Sequence, residues 1–163
     1  MTGSTAIAVS AAAVTTWMFV ASGAQADPGD GVAINGTFTV FSDGQWARTD
    51  QSYHDETSVT QTWRITSTCA TYQDCSGHVT SDQGWSSDNL VYMSGRWKVT
   101  RTVPNWEPCQ DGTAAPGEQA FTFWKSYPDE NLVGWDQTLG PSGACGFNKW
   151  LNVTLPLKLT PVG

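Results

Sequence analysis

The segment Gly140–Gly146 has the sequence GPSGACG, which places Ser142 among glycines as some hydrolases place a nucleophile. A nucleophile elbow sets Gly-x-Ser-x-Gly between a strand and a helix, whereas the residues after Gly146 alternate as in a strand. A trypsin-type site would need a histidine in an early active-site turn and a longer chain. The glycines are better explained as turn residues that deliver Cys145 to a partner. We therefore predict no catalytic role for Ser142.

Two pairs of neighbouring acids, Asp55–Glu56 and Asp129–Glu130, are the next chemical candidates. Glycoside hydrolysis uses two carboxyl groups that flank one bond. Neighbouring residues of a strand face opposite sides, and both pairs fall in predicted loops or turns. Solvated loop acids are the better interpretation, so the sequence shows no catalytic constellation and the protein is not predicted to be an enzyme.

The four cysteines, Cys69, Cys75, Cys109 and Cys145, allow three pairings as two disulfides. The short spacing of the first two suits a clasp across a hairpin end, which leaves Cys109 to pair with Cys145. A zinc site is a poor alternative, because no Cys-x-x-Cys occurs and the two histidines, His54 and His78, have no matched ligand spacing. No Asp-x-Asp-x-Asp-Gly calcium loop occurs either. We predict no metal and no cofactor.

Aromatic residues provide the most distinctive surface, since the chain has nine tryptophans. Several lie outside the predicted strands, with polar residues nearby that could orient a ligand. The predicted ligand-binding residues are Trp46, Tyr53, His54, Glu56, Trp85, Trp106 and Phe147. Such aromatics could stack on a sugar or cover an apolar ligand. The alternative is that they plug the fold and that a protein partner docks on an outer face.

The elements that position these residues are strands, because apolar and polar residues alternate along most of the chain. In Trp150–Leu159, residues 151, 153, 155, 157 and 159 are apolar and face one side. Pro156 cannot donate a ladder hydrogen bond, so it should lie at a bulge or where the strand runs past its neighbour. Seven further strands are predicted at residues 32–41, 57–69, 75–82, 88–94, 96–104, 118–127 and 131–139.

Short connections alternate with longer ones, which run over residues 42–56, 83–87, 105–117 and 140–148. In an antiparallel meander these four connections emerge at one end, and a Cys109–Cys145 bond would join two of them. The predicted fold is all-β: an eight-stranded up-and-down barrel, lipocalin-like or avidin-like, with a β-sandwich as the alternative. A small ligand would enter at the end with the long connections.

Residues 1–26 resemble an export segment, because they are uncharged, largely apolar and end in Ala24-Gln-Ala26. The basic residues that usually open a signal peptide are missing. Cleavage after Ala26 would leave residues 27–163 as a single β-barrel-like domain, secreted and without integral membrane association. The chain has 15 acidic and 8 basic residues, a net charge of −7. Without a basic cluster, nucleic acid and anionic membranes are not predicted partners.

Four stretches carry a resemblance to a known group: NGTF at 35–38, TSTC at 66–69, WEPCQDGT at 106–113 and GPSGACG at 140–146. Together they resemble a family of small secreted actinobacterial proteins of the mycobacterial type, whose function is not established. The similarity covers most of the chain after residue 26 and implies export and an all-β fold. It transfers no catalytic residue.

These features predict a secreted binding or interaction module. It would carry a small apolar or sugar ligand or be associated with the cell envelope, and its partner would be that ligand or another protein. A secreted hydrolase acting on envelope or glycan substrates is the alternative. The two differ in the site, since binding needs an apolar or aromatic-lined pocket and catalysis needs convergent acid and base groups.

Overall fold

A computed structural model describes residues 31–128 and 131–163, and these residues form an all-β fold. Within them the chain forms ten strands: β1 Gly36–Ser42, β2 Arg48–Thr49, β3 Ser52–Tyr53, β4 Val59–Thr71, β5 Asp74–Ser81, β6 Ser86–Met93, β7 Arg96–Pro108, β8 Ala114–Lys125, β9 Leu132–Leu139 and β10 Asn152–Pro161. Two single-turn 3-10 helices lie at Gly44–Trp46 and Ala144–Gly146. The predicted export segment lies outside the described residues, as does the Asp129–Glu130 pair.

Eight of these strands close into an antiparallel barrel in the order β1-β4-β5-β6-β7-β8-β9-β10, with β10 pairing back to β1. Consecutive barrel strands are neighbours, so the predicted up-and-down meander is confirmed and the sandwich alternative is wrong. Closure removes the free sheet edges that an open eight-stranded sheet would expose.

The short strands β2 and β3 were not predicted, and they form a hairpin that adds to the barrel wall. β1 pairs with the second half of β10 and ends opposite Leu157, whereas β2 pairs with Val153 and Thr154. Pro156 lies between these two partners, at the point where β10 passes from one to the other. The missing N–H of proline therefore falls where the ladder is interrupted, as the sequence predicted.

Most of the barrel interior is filled by apolar side chains that alternate inward along each strand. The fully buried ones are Val40, Trp63, Ile65, Val79, Leu90, Val99, Phe121, Phe123 and Leu159. The Trp63 ring lies edge-on to Phe121 with their centroids 4.7 Å apart. Burying such aromatic side chains supplies much of the favourable free energy of folding.

The chain ahead of β1 covers the end of the barrel that carries the tight turns. Ile34 both donates to and accepts from the hydroxyl of buried Ser67, at 2.8 and 2.7 Å. The indole of Trp97 donates to the Val32 carbonyl at 3.3 Å, and Lys125 donates to the Gly31 carbonyl at 3.0 Å. Residues 31–34 therefore lie across this end, where they line a pocket of about 210 Å³ together with Tyr92 and Trp97.

Both predicted disulfides are confirmed. Cys69–Cys75 clasps the β4–β5 hairpin, and Cys109–Cys145 joins the β7–β8 turn to the β9–β10 connection. Among residues 31–128 and 131–163, no helix has the length and apolar character needed to cross a membrane.

Candidate functional site at the barrel mouth

The four connections at the other end of the barrel are residues 43–58, 82–85, 109–113 and 140–151. They emerge together, as the meander predicted, and we call this end the mouth. The predicted long connection at 105–117 is wrong, because β7 continues to Pro108 and β8 begins at Ala114. Asn105 takes a left-handed conformation with φ 53° inside β7, and the register shifts there, so the strand bends and continues.

A pocket of about 210 Å³ opens at the mouth. It lies where the chain entering β4 meets the last residues of β7, the middle of β8, the second half of β9 and the start of β10. We call it the mouth pocket, and its lining residues are Glu56, Thr57, Val59, Trp106, Gln119, Asp136, Thr138, Val153 and Leu155. Two carboxyl groups, an amide, hydroxyl groups and one indole thus face a common space.

Asp136 is the most deeply buried acid of this pocket, with 4% of its surface exposed. Its two carboxyl oxygens accept hydrogen bonds from the Ser42 hydroxyl at 2.8 Å and from Gln119 Nε2 at 2.7 Å. Burial raises the pKa of Asp136, because desolvation disfavours the charged form more than these hydrogen bonds and the charge of Arg101 favour it.

The polar network continues across the barrel through Arg101, whose Nε donates to Gln119 Oε1 at 2.7 Å. The guanidinium lies 4.7 Å from the ring centroid of Trp85. Burial lowers the pKa of Arg101, while the charge of Asp136 opposes that shift. Trp85 in turn shares one acceptor, Gln61 Oε1, with Trp63, each indole donating at 3.1 Å. The contact between Arg101 and Trp85 therefore joins two hydrogen-bonded groups, one around Asp136 and one around Gln61, into a single polar layer.

Glu56 is held over the pocket by the β1–β4 connection. Its Oε1 accepts from the Thr49 hydroxyl at 2.8 Å and lies 3.1 Å from His54 Nδ1. The backbone beneath it is tight, since Glu56 N donates to the Gly44 carbonyl at 2.9 Å. A Cβ on Gly44 would lie 2.0 Å from the Glu56 carbonyl oxygen, so glycine is required at that position.

Trp106 is half-buried because two glycines make room for its indole. A Cβ on Gly117 would lie 2.7 Å from the Trp106 ring, and one on Gly140 would lie 3.3 Å from it. Glu107 follows in the chain, and its Oε2 is buried without a hydrogen-bond partner among the described residues. Trp106 therefore shares the pocket lining with the carboxyl groups of Glu56 and Asp136, and Glu107 follows it in the chain.

The other predicted site residues lie outside the mouth pocket, in different parts of the fold. Trp85 points into the barrel, stacked on Phe121 with centroids 5.8 Å apart, so it plugs the interior. Trp46 and Tyr53 pack edge to face at 6.4 Å and are exposed. Phe147 is 56% exposed in the β9–β10 connection. Of the seven predicted residues, the mouth pocket is lined by Glu56 and Trp106, with His54 bonded to Glu56 behind it.

Sequence reasoning missed Gln119, Asp136 and Thr138. A signal was present, because the strand predicted at 131–139 places Asp136 on the face it shares with Leu132 and Gly134. An acid on the inward face of a barrel strand requires hydrogen-bond partners inside, which predicts a polar layer.

The sequence matches no protein-family model and no curated protein. Among solved structures, the fold is similar to the monomer form of the M. tuberculosis PknI sensor domain, with a TM-score of 0.59 and 15% sequence identity. The match covers 81% of this chain and 89% of that chain. At this identity the likeness shows a shared fold alone. The resemblance to secreted actinobacterial proteins stays a prediction, although this neighbour is itself mycobacterial.

Proposed function

We propose that the protein is an exported binding module whose ligand enters the barrel mouth. The observation that carries this proposal is the polar mouth pocket above a filled barrel, with Glu56, Asp136 and Trp106 around one space. Two disulfides suit an oxidising compartment outside the cytosol. The structural neighbour is described as a sensor domain, which is consistent with a binding role.

The chemistry of the mouth pocket favours a small ligand rich in hydrogen-bond donors. Carboxyl and hydroxyl oxygens supply acceptors, and the Trp106 ring offers an apolar face for a sugar ring or a cation. At about 210 Å³ the pocket is smaller than the 300 Å³ or more typical of drug-sized ligands, so one sugar unit is a suitable occupant. The filled interior disfavours an apolar ligand carried inside the barrel, as lipocalin-like proteins carry one.

Calorimetric titration with glucosamine and with glucose tests this proposal, because the two sugars differ in one amino group. We expect glucosamine to bind more tightly, since its ammonium group can reach a carboxylate. Glu56→Gln should weaken glucosamine binding about tenfold, the order expected of one charged hydrogen bond, and leave glucose binding nearly unchanged. Trp106→Ala should weaken both.

Trp150→Ala is the matched control, because Trp150 is 58% exposed and lies outside the pocket lining. If neither sugar binds the wild type, the proposed mouth ligand is wrong. If sugars bind equally to the wild type and the Trp106 variant, the ligand binds elsewhere.

A secreted hydrolase is a second candidate, and one observation favours it. Glu56 and Asp136 line the same pocket, and burial raises the pKa of Asp136 as it does for carboxylic acids that donate protons in glycosidases. Release of reducing sugar from glycans by the wild type, lost in both Glu56→Gln and Asp136→Asn, would establish this function. A binding module predicts no release.

A further inference from the structure

We propose a second binding site on the outer wall of the barrel, where an oligosaccharide bearing carboxylate groups binds across β7, β8, β9, β10 and β2. This site goes beyond the proposed function and does not depend on the mouth pocket. A groove of about 520 Å³ runs across these strands. We call it the wall groove, and its lining includes Arg48, Arg96, Trp135, Gln137, Asn152 and Thr154.

Trp135 provides the aromatic platform of the wall groove. It is 46% exposed, although it lies in the middle of a barrel strand. Its cross-strand partners are Thr122 on β8 and Pro156 on β10. Both are too short to cover an indole, and Ala120 in the next row is shorter still. One face of the ring is therefore left open for the apolar C–H face of a sugar.

Side-chain amides and hydroxyls surround that platform. The register aligns Ala120, Gln137, Thr154 and Arg48 in one row across four strands. Asn152 Oδ1 accepts from Gln137 Nε2 at 3.1 Å and from the Thr154 hydroxyl at 3.4 Å. These contacts orient both amides and leave Asn152 Nδ2 as a donor for a ligand. Amide donors beside an aromatic ring suit the hydroxyl groups of a glycan.

The wall groove is positive on a protein whose net charge is −7. Arg48 and Arg96 line it, and none of its lining residues is an acid. Arg48 lies over the Tyr53 ring at 4.8 Å and donates to its hydroxyl at 3.0 Å, while Arg96 lies over Trp124 at 4.9 Å. Among the described residues, neither guanidinium forms a salt bridge. Aromatic rings thus hold both cations in place while their charge is left for an anion.

The positions of the two arginines require an elongated ligand with repeated anionic groups. Arg96 is on β7 and Arg48 on β2, with β8, β9 and β10 between them. Four strand spacings correspond to roughly 19 Å along the wall. A planar guanidinium matches a carboxylate in bidentate geometry, so a chain of sugars with carboxylates fits better than a single sugar.

An acidic peptide is less suitable for this surface. Extended peptides commonly bind by adding a strand to a free sheet edge. The strands β8, β9 and β10 are each paired on both sides, so the groove floor offers no such edge. A ligand must therefore be recognised by side chains. The aromatic, amide and hydroxyl side chains of the wall groove suit a sugar.

The test is calorimetric titration with a galacturonic acid tetramer and with the same tetramer carrying methyl-esterified carboxyls. The acid form should bind the wild type, and the ester should bind at least about tenfold more weakly. Arg48→Gln and Arg96→Gln should each weaken binding of the acid form by about tenfold. Trp135→Ala should weaken both ligands by a similar factor, and Trp135→Phe should keep part of the affinity.

Arg64→Gln is the matched control, because Arg64 is exposed on β4 away from the groove. This variant and the mouth variant Trp106→Ala should bind the tetramer as the wild type does, which separates this proposal from the mouth site. Far-UV circular dichroism and thermal unfolding verify that each variant is folded. The proposal is overturned if the acid tetramer does not bind, if the ester binds equally, if the groove variants match Arg64→Gln, or if a tetraglutamate peptide binds more tightly than the tetramer.

Discussion

At the scale of single residues, the carboxyl group of Asp136 organises the polar layer of the barrel. Ser42 and Gln119 each bond one of its oxygens, and Gln119 extends the layer to Arg101. A buried carboxyl without such partners would cost several kcal/mol, so the layer forms as a unit. The same unit forms part of the lining of the mouth pocket, so the proposed ligand would bind against it.

Replacing Asp136 with Asn should change how stability depends on pH. Burial raises the pKa of Asp136 above its usual 3.8, so the folded protein holds a proton that the unfolded chain releases as pH rises. The wild type should therefore lose free energy of unfolding from about pH 4 upward through the raised pKa, and Asp136→Asn should lose less. Asn can still accept from Gln119 and donate to Ser42. Urea unfolding across this pH range measures the difference.

Ser42→Ala is the companion variant for this prediction. It removes a hydrogen bond that lowers the pKa of Asp136, so the pKa should rise further and the loss of stability should continue to a higher pH than in the wild type. If Asp136→Asn instead becomes less stable relative to the wild type as pH rises, the ionised carboxylate is the form that the fold favours and the account of Asp136 is wrong.

Residue identity alone predicted only part of the site. Glu56 and Trp106 were predicted from their types and position, and both line the mouth pocket. Trp85 is also a tryptophan that was predicted to lie in a connection, yet its side chain fills the barrel. The direction of a loop side chain depends on tertiary neighbours, here Phe121 and Arg101, that sequence spacing does not reveal.

At the scale of elements, the Cys109–Cys145 bond holds two mouth connections together. It should stabilise the fold more than Cys69–Cys75, because it spans 36 residues rather than 6. Restriction of the unfolded chain predicts losses of about 4 and about 2 kcal/mol when each pair is changed to serine. Chemical denaturation of the two double variants measures both losses.

A larger loss from the Cys69–Cys75 pair would contradict this ranking. It would mean that native packing around the β4–β5 clasp, rather than loop closure, determines its contribution. Cys75→Ala and Cys69→Ala each remove the same crosslink, but Cys75 is buried against the core. The difference in stability between the two variants therefore measures the contribution of Cys75 packing.

The eight barrel strands could be predicted because apolar and polar residues alternate along each of them. Their order could be predicted because consecutive strands pair in an antiparallel meander. The β2–β3 hairpin could not, since each strand has only two residues and Asp50 and Gln51 turn with positive φ. The extension of β7 past Pro104 was missed for a related reason. Asn105 reads as a turn residue, but here it produces a bend within the strand.

At the scale of the whole molecule, export is the prediction that places the protein in contact with glycans. Ala24 and Ala26 supply the small side chains that a signal peptidase accepts, so the extracellular protein should begin at Asp27. Intact-mass analysis of culture filtrate measures the N-terminus directly. Recovery of a chain that retains residues 1–26 would contradict cleavage.

The ligand could not be predicted from the sequence in the same way as the fold. The barrel follows from local alternation, whereas both proposed sites depend on side chains brought together from distant parts of the chain. Glu56, Trp106 and Asp136 come from distant parts of the chain yet line one pocket, and Arg48 and Arg96 reach one groove only because β10 pairs with β2. Closure of the barrel creates these juxtapositions.

Binding at the barrel mouth is tested most directly by a backbone and indole NMR titration with glucosamine. We expect the largest chemical-shift changes to cluster at the mouth, on the Trp106 indole and on the amides of Thr57, Gln119 and Thr138. Residues 31–34 at the opposite end should stay unchanged. Saturable shifts confined to that opposite end, or no shifts at millimolar sugar, would contradict binding at the barrel mouth.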